Sequence, residues 1–107
     1  MTRLLIVAPS AIGDMEAIYL YIARNAGQLT ADSVQDGLEK RIAGLVIAPE
    51  RGNIPKELLA MGSADYRELH FKPYRIFYRV SDSRVEVVAI LDGRRDMTML
   101  LQQRLTR

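Results

Sequence analysis

The spacing of apolar positions changes twice along the chain. Residues 3–8 read as a buried strand, an apolar run closed by Pro9. Ile12, Met15, Ile18, Tyr19 and Ile22 then recur at three- and four-residue spacing, which predicts a helix with one apolar face. Ser10 is its expected N-cap and Gly27 its C-terminal stop. Thr30 can cap a second helix carrying Val34, Leu38, Ile42 and Leu45, and Pro49 forbids its continuation. A link of about three residues makes the pair a helical hairpin over residues 11–47.

Residues 49–65 hold two prolines and two glycines and read as a loop, with Leu58, Leu59 and Met61 able to form one helical turn. Beyond it the period falls to two. Residues 66–71, 74–80 and 84–91 are predicted strands, separated by Lys72-Pro73 and Ser81-Asp82-Ser83. Tyr74, Ile76, Tyr78 and Val80 share one face, and Arg75, Phe77 and Arg79 the other. In the third of these strands Val85, Val87, Ala89 and Leu91 are expected to face one way and Val88 and Ile90 the other. A strand apolar on both faces belongs in the middle of a sheet. Asp96 can cap a last helix with Met97, Leu100, Leu101 and Leu105. The fold class is α+β with the order β-α-α-β-β-β-α: an antiparallel meander covered on one face by the helical hairpin, in a single domain of residues 1–107. Ile18, Ile22, Leu38, Ile42, Ile76, Tyr78, Val85 and Val87 are the expected core.

Composition narrows the chemistry. The chain of 107 residues has no cysteine. A disulfide framework, a thiolate zinc site and a cysteine nucleophile are therefore excluded. No apolar run approaches membrane-spanning length, the first residues lack the long apolar core of a signal peptide, and a cytoplasmic location is expected. Residues 1–53 hold five basic and six acidic residues, and residues 54–107 ten basic and seven acidic, so the net charge of +2 sits in the second half. Arginine dominates the basic residues, and its planar fork suits phosphate and carboxylate. That surplus is either a solvated surface or a face for an anionic partner, nucleic acid or an acidic protein segment. Asp14, Glu16, Asp32 and Asp36 read as solvated helix faces.

His70 is the single histidine, no serine lies in a nucleophile-elbow setting, and there is no glycine-rich phosphate loop. Neither a cofactor nor a metal is expected. The constellation that remains is on the strands. Arg75 and Arg79 flank Phe77 on one face, and Arg94 and Arg95 follow the next strand. Such a set can hold a phosphodiester and stack a base. The same alternation is satisfied by solvent-facing arginines with Phe77 packed under the last helix. Arg67 and His70 point to opposite faces of their strand, whereas Glu68 and His70 share one.

At Tyr74-Arg75-Ile76-Phe77-Tyr78-Arg79-Val80, and at Asp92-Gly93-Arg94-Arg95-Asp96 after the next strand, the chain resembles the RelE/ParE superfamily of bacterial toxins. The likeness runs over nearly the whole chain, including Pro49-Glu50-Arg51-Gly52 and Tyr66-Arg67-Glu68-Leu69. It implies the toxin of a type II toxin–antitoxin module, neutralised by a cognate antitoxin. RelE-like members cut messenger RNA on the ribosome, and ParE-like members poison DNA gyrase. In a ribonuclease, Arg75, Arg95 and His70 would be the catalytic set. RNA cleavage also needs groups that exchange protons near neutral pH, and arginine, with a pKa above about 12, moves protons poorly. Residues 97–103 contain neither the tyrosine nor the histidine that RNA-cutting relatives often carry there, and no lysine cluster precedes Arg67. The expectation is therefore the ParE-like branch, with DNA gyrase as target and no catalytic set. Arg75, Phe77, Arg79, Arg94 and Arg95 are then the residues expected to meet the target or antitoxin. The alternative partner is the ribosome with its messenger RNA; no membrane is expected.

Overall fold

The computed structural model of the protein describes residues 3–105; residues 1–2 and 106–107 of the expected domain lie outside it. The elements are β1 (Leu4–Val7), α1 (Pro9–Ala26), α2 (Gln28–Ala43), a 3-10 turn at Gly44–Val46, α3 (Lys56–Ala60), β2 (Arg67–Phe71), β3 (Tyr74–Val80), β4 (Arg84–Asp92) and α4 (Met97–Leu105). One sheet has the order β1-β4-β3-β2. β2, β3 and β4 form the antiparallel meander, and β1 adds to β4 in parallel, pairing Leu5 with Val85 and Val7 with Val87. The order read from the periodicity is observed, with α3 as a short addition in the loop.

The helix starts differ from the expected caps. Pro9 occupies the first turn of α1, where its fixed φ is already helical, and Ala8 is the N-cap without a side-chain bond. Ser10 lies inside the helix and donates from Oγ to the Val88 carbonyl at 3.4 Å. α2 starts at Gln28 rather than after Thr30. Gly27 alone links the helices, with φ 91° and ψ 161°, a backbone state open essentially to glycine. The hairpin link is one residue because this glycine reverses the chain by itself.

Two apolar layers flank the sheet. On the hairpin side Ala11, Ile22, Leu38, Ile42 and Leu45 pack on Leu69, Ile76, Tyr78, Val85, Val87 and Ile90. Ile18 joins them half-buried; the other expected core residues are buried. On the opposite side Phe77, Ala89 and Leu91 lie under α4, through Met97, Leu100 and Leu101, with Leu58 of α3 beside them. The expected alternation of β4 is corrected here. The register slips between Phe77 and Tyr78, whose partners are Ala89 and Val87, so Val88 is an extra residue on β4. Past that bulge the faces exchange. Ile90 joins Val85 and Val87 on the hairpin side, and Ala89 and Leu91 turn to α4.

Asp14 attends this bulge, in contrast to the solvated role expected of it. Its carboxylate accepts the Ile90 N–H at 2.9 Å and a two-pronged contact from Arg104 of α4 at 2.9 and 3.0 Å. Arg104 also donates to the Val88 carbonyl at 3.2 Å. Asp32 is likewise engaged, accepting the Tyr19 hydroxyl at 2.7 Å.

The loop before β2 is held by backbone contacts. Gly52 donates its N–H to the Tyr78 hydroxyl at 2.9 Å, and Arg67 donates to the Gly52 carbonyl at 2.8 Å. A Cβ at position 52 would overlap the Glu68 carbonyl and the Tyr78 hydroxyl. Tyr78→Phe strands a buried N–H, so a loss of about 1–3 kcal/mol is expected, or roughly 4–8 °C of melting temperature per kcal/mol. Gly52→Ala should cost more. Urea and thermal melts check both, and an unchanged Tyr78→Phe midpoint would show that Gly52 has another acceptor.

Candidate functional site

β3 presents Arg75, Phe77 and Arg79 to the face away from the hairpin, as its alternation requires. The three have different fates. Phe77 is fully buried beneath α4 and offers no surface to a nucleobase or a partner. Its expected contact role is corrected by the packing of the second apolar layer.

Arg75 is held from two sides. Its Nε donates to Glu68 Oε1 at 2.6 Å, and one terminal nitrogen to Glu68 Oε2 at 3.0 Å. Both terminal nitrogens donate to Glu57 of α3, at 2.8 and 2.9 Å. The guanidinium lies over the Phe77 ring, 5.2 Å from its centroid. The Glu68 side chain is 3% exposed and also accepts from Asn53 Nδ2 at 3.0 Å. The hydrogen bonds that Arg75 donates to Glu57 raise its pKa above the usual arginine range, against the opposing effect of burial. In return the bonds from Arg75 hold the Glu57 carboxyl below its ordinary value. Gly93 makes room for the arginine: a Cβ there would come within 2.9 Å of Arg75 Cδ. Carboxylates on both sides neutralise most of the charge that Arg75 could offer an approaching phosphate. Arg75 is thus a partly buried cation, 12% exposed and held by carboxylates on both sides.

His70 is half-exposed, with Nε2 3.6 Å from Glu68 Oε1. Glu68 is already the acceptor for Arg75 and Asn53, so it has no role as a free base. Arg79 is 56% exposed and paired with Glu86 across the strands at 3.0 Å. Arg94 grips Asp92 with two bonds of 2.6 and 2.9 Å while 73% exposed, and holds the Asp92 carboxyl below its usual range. Arg95 is exposed, and its side chain has no hydrogen bond or ion pair among the described residues. Arg79 stands beside Glu86, whereas Arg94 and Arg95 follow Asp92, the partner of Tyr74 at the other end of β3. Five strand residues separate those ends, about 17 Å. The structure does not gather the predicted arginines into one site.

Glu57, Asn53 and Asp14 were not recognisable as partners from sequence. Asp14 had a signal: it sits between Ala11 and Ile18 on the inward spacing of α1. Nothing local marks Glu57. Among the described residues no group of three His, Asp or Glu side chains is placed to hold a metal. No helix there is long and apolar enough to cross a membrane.

The family model described as ParE toxin of type II toxin-antitoxin system, parDE, matches residues 5–97. No curated protein matches the chain. Among solved structures, the fold is similar to a chain of the chromosomal ParDE toxin–antitoxin system from P. aeruginosa. That match has a TM-score of 0.70 and 18% identity over 83% of this chain and 94% of that one. It is also similar to an arginine-to-alanine double mutant of the E. coli toxin RelE in the free state, with a TM-score of 0.62 and 17% identity over 100% and 98% of the two chains.

Arg75→Ala leaves Glu57 and Glu68 facing each other, and a loss of about 3–5 kcal/mol is expected from unfolding curves. The Glu57 contribution has a defined pH dependence. Its folded pKa lies below the ordinary 4.5, so the stabilisation is complete above that value and is lost as the pH falls through the lower folded value. Glu57→Gln should therefore be less stable than wild type at pH 7, with the gap closing in acid. A gap independent of pH would refute the pairing.

Proposed function

Because the chain belongs to the ParE toxin family of type II toxin–antitoxin systems, we propose that it acts by protein contact, inhibiting DNA gyrase without cleaving RNA, and that a cognate antitoxin neutralises it. The observation that carries this reading is the capture of Arg75 between Glu57 and Glu68. A ribonuclease needs that cation free for the scissile phosphate, with an acid and a base beside it. Here the nearest candidate base is spent on the arginine. His70 has Glu68 as its neighbour, and the Arg95 side chain makes no hydrogen bond or ion pair with the cluster. General acid–base catalysis typically contributes about 10²–10⁴-fold, so a chain without it is a poor nuclease even where RNA binds.

The contact residues are then Arg79, Arg94 and Arg95, which remain at the surface. Acidic side chains of the antitoxin compete for these cations with Glu86 and Asp92. An antitoxin segment that is disordered alone can cover a large area when it folds on the toxin. It can also add to a free sheet edge through backbone bonds.

Purified protein assayed with gyrase supercoiling of plasmid DNA, alongside programmed ribosomes, tests the reading. Inhibited supercoiling, intact messenger RNA and toxicity that survives His70→Ala are expected. Codon-positioned cleavage that disappears with His70→Ala, with gyrase unaffected, would overturn it. For the antitoxin, Arg79→Glu with Arg95→Glu should weaken the complex about tenfold or more in calorimetry, while the melting temperature stays within a few degrees of wild type.

A further inference from the structure

The turn between β3 and β4, Ser81-Asp82-Ser83, divides two surfaces of opposite charge. On one side lies a concavity of about 290 Å3 lined by Arg79, Ser81, Arg84 and Glu86. The register explains the grouping. Arg79 stands directly across from Glu86, and the Ser81 N–H bonds the Arg84 carbonyl at 2.9 Å. Period-two alternation then turns Arg79 and Ser81 of one strand, and Arg84 and Glu86 of the other, to the same face. Arg79 reaches Glu86 through Nε at 3.1 Å and Nη2 at 3.0 Å, both on Oε1. Arg84 is exposed, and its side chain has no hydrogen bond or ion pair among the described residues. Two guanidinium groups against one carboxylate leave this concavity one anion short of neutrality.

The other side of the turn is the reverse. A concavity of about 370 Å3 there carries Glu50, Asp65 and Asp82 against Arg3 and Arg67. Both arginines donate to backbone carbonyls, those of Ser81 and Gly52, at 2.7 and 2.8 Å. None of the three carboxylates has an ion pair among the described residues.

We infer that the Arg79–Arg84 concavity is an oxyanion site that takes one carboxylate side chain of a protein partner, set between the two guanidinium groups. A carboxylate presents two oxygens, one for each fork. A nucleic-acid backbone carries its charge on past the turn and meets Glu50, Asp65 and Asp82, whereas a single acidic side chain meets no such row. Arg84 has no partner within the fold, so its charge is left for a ligand. Glu86 is the built-in competitor: it orients Arg79 and weakens the pull on an incoming anion. This inference rests on the reading above, in which the carboxylate belongs to the antitoxin.

Nuclear magnetic resonance of the arginine Nε–Hε groups tests the site without antitoxin or gyrase. The intact protein is titrated with sodium acetate, against sodium chloride at equal ionic strength. The Arg79 and Arg84 signals should shift together and saturate with one midpoint below about 100 mM, as two exposed ion pairs would give. Arg24, equally unpaired but alone on α1, should drift without saturating. Arg84→Gln should abolish saturation at Arg79, and Glu86→Gln should lower the midpoint about threefold by removing the competing acid. In calorimetry with the antitoxin, Arg84→Glu should weaken the complex about tenfold at an unchanged melting temperature. Absent saturation, the same saturation at Arg24, or a midpoint that Glu86→Gln leaves in place would overturn the inference. So would inorganic phosphate binding tenfold more tightly than acetate, which would assign the site to a phosphate ligand, or an antitoxin complex indifferent to Arg84→Glu. An antitoxin that fails to bind wild type, or a failed gyrase assay, alongside a saturating acetate titration would refute the partner or the target and not the site.

Discussion

Arg75 joins three parts of the chain that local propensity alone would leave independent. It belongs to β3, takes Glu68 from β2, and reaches across to Glu57 on α3. A five-residue helix is too short to persist in isolation, so α3 depends on what it is tied to. The ion pair fixes its first turn, and Leu58 supplies the apolar contact under α4. A largely desolvated cation between two carboxylates contributes little net stability compared with an apolar core, yet losing one member is costly. The arrangement acts chiefly as a lock on geometry. It also bears on chemistry, because four of the five N–H donors of the guanidinium are already given to carboxylates.

A second device lets one sheet serve two layers. β4 is apolar on both faces, and a regular strand would keep Ile90 and Val88 together. The extra residue at Val88 rotates the end of β4, so Ile90 goes to the hairpin and Leu91 to α4. A bulge frees backbone groups that must find other partners. Asp14 takes the Ile90 N–H, and Ser10 and Arg104 take the Val88 carbonyl. Arg104 thereby fastens α4 to the hairpin as well as to the sheet.

The meander, the hairpin and most of the core were legible because their signal is periodic and local. Tyr74 to Val80 alternates cleanly, and its buried set is Tyr74, Ile76 and Tyr78 with Phe77 behind. The bulge was not legible, since a strand with valine, alanine, isoleucine and leucine in succession has no polar marker to show where the count slips. The helix starts were misread for a different reason: Pro9 and Gly27 set the backbone by their own φ, and the favourable caps Ser10 and Thr30 were left inside the helices. The arginines were readable as residues on a face. Their partners were not, because Glu57 lies 18 positions before Arg75 and nothing local relates the two.

The basic excess looks different once partners are counted. Seven arginines are already spent: Arg3, Arg41, Arg67, Arg75, Arg79, Arg94 and Arg104 each bond a carbonyl or a carboxylate. The side chains of Arg24, Arg51, Arg84 and Arg95 have no hydrogen bond or ion pair among the described residues, and they lie on α1, the loop, the start of β4 and the turn after it. A phosphate backbone is followed by a continuous track of cations, because each neutralised phosphate adds to affinity through counterion release. Separate cations between neutralised pairs do not make such a track. They favour a partner that matches individual charges in fixed positions and takes most of its affinity from apolar contact and backbone pairing.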